Sequence, residues 1–214
     1  MIYCISDIHG EIDRFHAMLS LISFSDEDTL YIIGDVIDRK PGGIDILKET
    51  MVTPNMILLL GNHEQMCYET LGPTPFPGAK ERWFRNGGKI TYDELIHMCT
   101  QAERQNILNY IAGLPLNHEV LVNGQTYHLV HAFPGNTLRD QIWERPTPDR
   151  KRPFEDKIAI IGHTPTCNLV PEPNCPYKIW HGDGIIDIDC GCARTNDFRR
   201  LACLRLDDLA EFYI

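Results

Sequence analysis

Three apolar runs open the chain at a near-constant spacing: residues 2–6 (IYCIS), 29–34 (TLYIIG) and 56–60 (MILLL). Each is short and rich in β-branched, aromatic or leucine side chains, and each is bounded by turn formers, so each reads as a strand. Between the first two, Ile12, Phe15, Leu19 and Ile22 fall at helical spacing; between the second and third, a helix begins near Pro41 and carries Ile44 and Leu47. Strands joined by helical crossovers are parallel neighbours, and continuous apolar strands need cover on both faces. The expectation is an α/β fold.

The pattern then changes. Helical periodicity dominates residues 64–115, broken at 72–78 (GPTPFPG), where three prolines and two glycines forbid regular structure. This stretch reads as a helical insert, not a separate domain, because strands resume after it. Residues 118–133 hold two β-rich runs hinged on Asn123-Gly124, a hairpin signal. Further strands are expected near 158–162, 184–189 and 200–206, all within a single domain of residues 1–214. The chain is long enough for one substantial core.

Thirty acidic against twenty basic residues give a formal charge of −10, which argues against nucleic acid or an anionic membrane as a general partner. The basic run Asp149-Arg150-Lys151-Arg152 reads as a solvated loop. The start, MIYCISD, has no basic leader, and no apolar run approaches the roughly 18 residues of a membrane span, so a cytoplasmic protein is expected. Eight cysteines are too sparse for a disulfide scaffold. Cys190 and Cys192 with Cys167 and Cys175 would be the one zinc site to consider; the simpler reading is reduced thiols packed as small hydrophobes.

Chemistry is concentrated just past the strand ends, where an open α/β sheet places ligands. The first strand runs into Ser6-Asp7-Ile8-His9-Gly10, the second into Gly34-Asp35-Val36-Ile37-Asp38-Arg39, and the third into Gly61-Asn62-His63-Glu64. Two later strands end near His131 and His163. Asp7, His9, Asp35, Asn62, His131 and His163 are too many donors for one tetrahedral zinc but suit two divalent ions sharing a carboxylate. Nitrogen and oxygen donors without thiolate suit manganese, iron or zinc better than copper or a cluster; two divalent ions are expected, manganese first, with iron, zinc, magnesium or nickel as alternatives. His128 lies three residues before His131 and so faces the other side of its strand; His16, His97, His118 and His181 lack a partner motif. Glu64 is either a support for its loop or a solvated carboxylate at a helix start.

As a set, Asp7-x-His9-Gly10, Gly34-Asp35-x-x-Asp38-Arg39, Gly61-Asn62-His63-Glu64, His131 and Gly162-His163-Thr164-Pro165 resemble the motif series of the calcineurin-like metallophosphoesterases. Within them the chain is similar to the phosphoprotein phosphatase family and its small bacterial and phage members. The resemblance runs from residue 7 to about 192. It implies an αββα sandwich of two mixed β-sheets flanked by helices. It also implies one metal held by Asp7, His9 and Asp35 and a second by Asp35, Asn62, His131 and His163, with Asp35 as the bridge. His63 is implied to be the acid near the leaving group, Asp38 its orienting partner, and Arg39 a phosphate clamp; Arg145 is the candidate second clamp, with Arg139 and Arg150 nearby. Lys40 and Gly42-Gly43 depart from the usual loop, as do Ala132-Phe133 after His131, but no ligand is missing.

The implied activity is phosphomonoester hydrolysis, by in-line attack of a water deprotonated between two cations about 3.5–4 Å apart. Phosphoserine and phosphothreonine in proteins, with phosphotyrosine as a further target, lead as substrates. Diadenosine polyphosphates or other nucleotides are the alternative, and a non-catalytic metal-binding scaffold is the least favoured. The oligomeric state is left open.

Overall fold

The computed structural model describes residues 1–170 and 176–214. The expected β-α-β-α-β opening is present: β1 (Ile2–Ile5), α1 (Ile12–Leu21), β2 (Thr29–Ile32), α2 (Gly43–Val52) and β3 (Met56–Leu58). β1 and β2 pair in parallel, as do β2 and β3. Past these strands come α3 (Asn62–Leu71), α4 (Ala79–Arg85), α5 (Lys89–Asp93), a π turn over Glu94–Met98, and α6 (Gln101–Ala112). The hairpin of β4 (Asn117–Val122) and β5 (Gln125–Val130) turns at Asn123 and Gly124, both at positive φ. After α7 (Leu138–Trp143) follow β6 (Lys157–Ile161), β7 (Trp180–Gly182), β8 (Ile185–Asp187), β9 (Ala202–Arg205) and β10 (Glu211–Tyr213).

These strands form two five-stranded sheets, β10-β9-β1-β2-β3 and β4-β5-β6-β8-β7. Both are mixed. β9 and β10 extend the parallel unit antiparallel, and in the second sheet β5, β6 and β8 run parallel between antiparallel neighbours. The parallel pairing that the opening third suggests is therefore only part of each layer, one side of the first sheet and the centre of the second.

The alternation of side chains along a strand divides the core in two. Cys4, Tyr31, Ile33 and Leu59 face Tyr127, Leu129, Ile160 and Ile186 between the sheets. Ile5, Ile32 and Leu58 face the other way, against Phe15 and Met18 of α1, Ile46 and Leu47 of α2, and Ile107 and Ile111 of α6. The continuous apolarity of the first three strands is thus explained: they are buried on both faces. A smaller cluster, with Val130, Ala159 and Ile161, covers the outer side of the second sheet. Among the described residues, no helix is long and apolar enough to cross a membrane.

Candidate metal centre

The carboxyl ends of β1, β2, β3, β5 and β6 meet where the two sheets abut, and each delivers its motif residues to that point. Delivery requires unusual backbone. Nine non-glycine residues have positive φ among those described, and Asp7, His9, Asp35, Asp38, Arg39 and His163 are six of them. Such conformations cost energy and persist only where the surroundings impose them, as at functional sites. The close approach also dictates glycine at Gly34, whose φ is 76° and where a Cβ would stand 2.7 Å from both Gly61 Cα and His131 Nδ1.

Asp35 lies at the centre. Its Oδ2 is 3.6 Å from His9 Nε2 and 3.7 Å from His63 Nε2, and its Oδ1 is 3.4 Å from His131 Nε2. Two groups of donors surround it, His9-Asp35-His63 and Asp35-His131-His163, each close enough to share one ion. Asn62 Oδ1 is 2.9 Å from His131 Nε2. Asp7 stands at the edge of the first group, its Oδ1 3.8 Å from His9 Nε2, while its Oδ2 accepts from the backbone N–H of His163 (2.9 Å) and from the Ser6 hydroxyl. All six residues named as metal donors are buried.

The orientation of the imidazoles fits cations. His9 Nδ1–H donates to Ile37 O (3.0 Å) and His131 Nδ1–H to Ile33 O (2.8 Å), which turns both Nε2 atoms into the site. Burial, with Arg39 and His63 adding to it, lowers the pKa of His9; burial with the charges of His131 and Arg145 lowers that of His163 to about 2. Both are therefore neutral imidazoles, and both Nε2 atoms are buried without a hydrogen-bond partner. An unpartnered buried lone pair is costly, and a metal ion is what relieves it. Carboxyl groups are crowded at the site. Burial, reinforced by Asp189, raises Asp7 to about 8, and Asp187 and Asp189 are also pushed up, by burial first. Burial opposes ionisation of Asp35 too, but His131, His63 and His9 outweigh it and hold the carboxyl well below the usual range.

Beside this cluster, His63 Nδ1–H donates to Asp38 Oδ2 at 2.6 Å. Burial works against charge on His63, yet Asp35 and Asp38 outweigh it and raise the pKa above the ordinary histidine value. Arg39 Nη2 lies 3.4 Å from His63 Nε2. Of the three arginines considered for the second clamp, Arg145 donates to His163 O (2.8 Å), Arg150 is committed to Glu144 (2.7 Å) and the Phe133 ring, and Arg139 lines a neighbouring cleft. Arg145 is the one held at the cluster.

Glu64 is no solvated carboxylate: it is fully buried and accepts from the backbone N–H groups of Asp35 and Val36, both at 2.9 Å, and of Gly61 at 3.2 Å. It ties the second motif to the third. Sequence reasoning also missed Trp83, whose indole N–H donates to Asp38 Oδ2 (2.7 Å), and the pair Asp187 and Asp189. The acid of an Asp-x-Asp at a strand end was the available signal for that pair.

Four of the five remaining histidines have partners away from the centre: His16 pairs with Glu49, His128 with Glu119, His181 with Glu211, and His118 stacks on Tyr31. Cys190 is buried against Thr166, and neither donor cluster found among the described residues contains a cysteine; Cys175 lies outside those residues. Arg150 and Arg152 of the basic run make exposed pairs with Glu144 and Asp183, as a solvated loop would.

Two mixed sheets abutting on a His/Asp/Asn cluster define a metallohydrolase class of site. The family model for calcineurin-like phosphoesterases matches residues 1–185, and the chain belongs to that family. Among curated relatives, it is 31% identical over 137 residues to serine/threonine-protein phosphatase 2 of Escherichia coli, covering 63% of this chain and 60% of that protein. It is 41% identical over 116 residues to the symmetrical bis(5'-nucleosyl)-tetraphosphatase of Salmonella paratyphi B, covering 53% of this chain and 37% of that one. The matched spans thus cover 60% and 37% of the length of these relatives, less than two thirds of either. A solved metallophosphoesterase structure from Sphaerobacter thermophilus superposes with a TM-score of 0.60 at 21% identity, covering 100% of this chain and 87% of that one, a likeness of fold.

Proposed function

We propose that this chain is a metal-dependent phosphomonoester hydrolase acting on phosphoserine and phosphothreonine in proteins. The observation that carries the reading is the convergence, from the ends of five strands of two sheets, of buried donors on the Asp35 carboxylate, with the Nε2 atoms of His9 and His163 left unpartnered. In this reading Asp7, His9 and Asp35 hold one divalent cation and Asp35, Asn62, His131 and His163 the other, manganese being the first candidate. Bound there, the pair supplies charge neutralisation of the phosphoryl oxygens and activation of water for in-line attack.

The chain's own groups do the rest. Arg39 and Arg145 offer planar guanidiniums that grip phosphoryl oxygens, a grip that strengthens as charge builds. His63, oriented by Asp38, presents Nε2–H to the leaving oxygen and gives up its proton as the P–O bond breaks. Because Arg39 Nη2 and His63 Nε2 are neighbours, clamp and acid address the same phosphate. A cleft of about 550 Å3 between α3 and α7 opens beside the centre and receives the remainder of the substrate; Met66, Ile142 and Trp143 line it with Gln65, Glu69 and Arg139. Trp143 also stands edge-on to His163, at 5.8 Å between ring centroids.

Protein substrates are supported by the likeness to the Escherichia coli phosphatase. A second reading, cleavage of a dinucleoside tetraphosphate, is supported by the higher identity to the Salmonella relative over a shorter span. The discriminating experiment strips the protein with chelator, restores manganese, and compares phosphate release from a phosphoserine peptide with cleavage of diadenosine tetraphosphate. Preference for the peptide is the expected result, and preference for the dinucleotide would move the assignment.

A further inference from the structure

The helical insert does more than cover the sheet, because three of its groups hold the Asp38-Arg39 turn. The Trp83 indole N–H of α4 donates to Asp38 Oδ2 at 2.7 Å. The backbone N–H of Asp38 donates to the Thr91 hydroxyl at 3.0 Å, and that of Arg39 to Gly87 O at 3.2 Å. Asp38 and Arg39 both sit at positive φ, 75° and 66°, so the turn needs external support. Trp83 has none of its surface exposed, and its ring is fixed edge-on by Tyr92 and against Gly88, where any Cβ would collide with the indole.

The carboxylate of Asp38 is used unevenly. Oδ2 accepts both the Trp83 indole and His63 Nδ1–H, while Oδ1 is buried with no partner. Two donors from different elements converging on one oxygen define its position; a carboxylate held only by the imidazole could rotate, since Oδ1 is bound to nothing.

We infer that Trp83 is a positioning residue for proton donation: through one hydrogen bond it fixes the Asp38 carboxylate, and through Asp38 it fixes the imidazole of His63. The inference rests on the hydrolase reading, in which His63 protonates the leaving oxygen. It makes the insert part of the catalytic apparatus, with the Trp83 N–H, a group that touches no substrate, felt only in reactions whose leaving group needs the proton. General acid assistance contributes roughly 100-fold or more, so misaiming the donor removes part of that factor.

The test compares wild type, Trp83→Phe and His63→Asn in manganese-loaded protein, on phosphoserine peptide and on 2,4-dinitrophenyl phosphate, whose leaving group needs no proton. A version with benzothienylalanine at position 83, which replaces N–H by sulfur and keeps the bicycle packed, controls for folding. The expected result is a fall in kcat of roughly tenfold or more on the peptide, with KM, metal content and dinitrophenyl phosphate turnover nearly unchanged. Combining either change with His63→Asn adds nothing. An equal loss on both substrates, or no loss in the benzothienyl version, overturns the inference while leaving the hydrolase reading intact. If His63→Asn itself slows both substrates equally, the acid assignment fails and the role of Trp83 falls with it.

Discussion

Asp35 and Glu64 show how differently two buried carboxylates work in one site. Asp35 faces the imidazoles of His9, His63 and His131, so neutralising it removes the charge on which both donor groups converge. Glu64 faces away and gathers the backbone N–H groups of Asp35, Val36 and Gly61. Asp35→Asn is therefore expected to abolish phosphate release, whereas Glu64→Gln should cost roughly 10–100-fold, the usual scale for a residue that orients a ligand. Glu64→Gln should also lower stability by about 1–3 kcal/mol, since its amide cannot accept at both former oxygens. Steady-state assays and denaturant melts of the two variants check this; equal activity in both would refute the division of roles. The motif residues were readable because each segment follows a strand, and all but that of His131 carry a glycine. For Glu64 the loop-supporting role was one of two readings left open, and Trp83 was not readable, because their partners lie 29 and 45 residues away and only tertiary packing brings them together.

Among the elements, the strands buried on both faces and the Asn123-Gly124 hairpin were legible from pattern alone. β7 and β10, three residues each, were not: a strand that short carries no period to detect, and each exists because a neighbouring strand offers it an edge. α7 was missed for a related reason, having six residues and little amphipathic pattern; its Thr137 cap, accepting from Asp140 N at 3.1 Å, is its main local signal. The same capping box begins α6, where Thr100 accepts from Glu103 N at 3.2 Å. Thr100→Ala should cost about 1 kcal/mol of stability with no change in kcat or KM, because α6 lies behind the sheet. Thr137→Ala should cost a similar amount, about 1 kcal/mol, and also raise KM, because α7 lines the cleft and leads directly into Arg145. Thermal melts alongside steady-state kinetics separate the two; an unchanged KM in Thr137→Ala would remove α7 from substrate binding.

At the level of the whole molecule, the centre is also a clasp between layers. His131, just past β5 of the second sheet, donates to Ile33 O beyond β2 of the first, and the His163 N–H following β6 donates to Asp7 following β1. Packed between them are carboxyls that burial and mutual repulsion hold at raised pKa, a tension that a bound cation removes. Cation binding should therefore couple to folding. At a free metal concentration of 100 times Kd, one site adds about 2.7 kcal/mol, or roughly 5–10 °C in Tm for a chain of this size. Calorimetric scans with and without chelator would show it, and an unchanged Tm would contradict it.

The central claim is that five strands of two sheets build one two-cation hydrolytic centre around Asp35. Its most direct test is a manganese titration of chelator-stripped protein, following heat of binding and phosphate release from a phosphoserine peptide together. Two equivalents per chain are expected in the wild type, with activity appearing at the second and both binding and activity lost in Asp35→Asn. Activity that is complete without metal, or two equivalents still bound by Asp35→Asn, would contradict it.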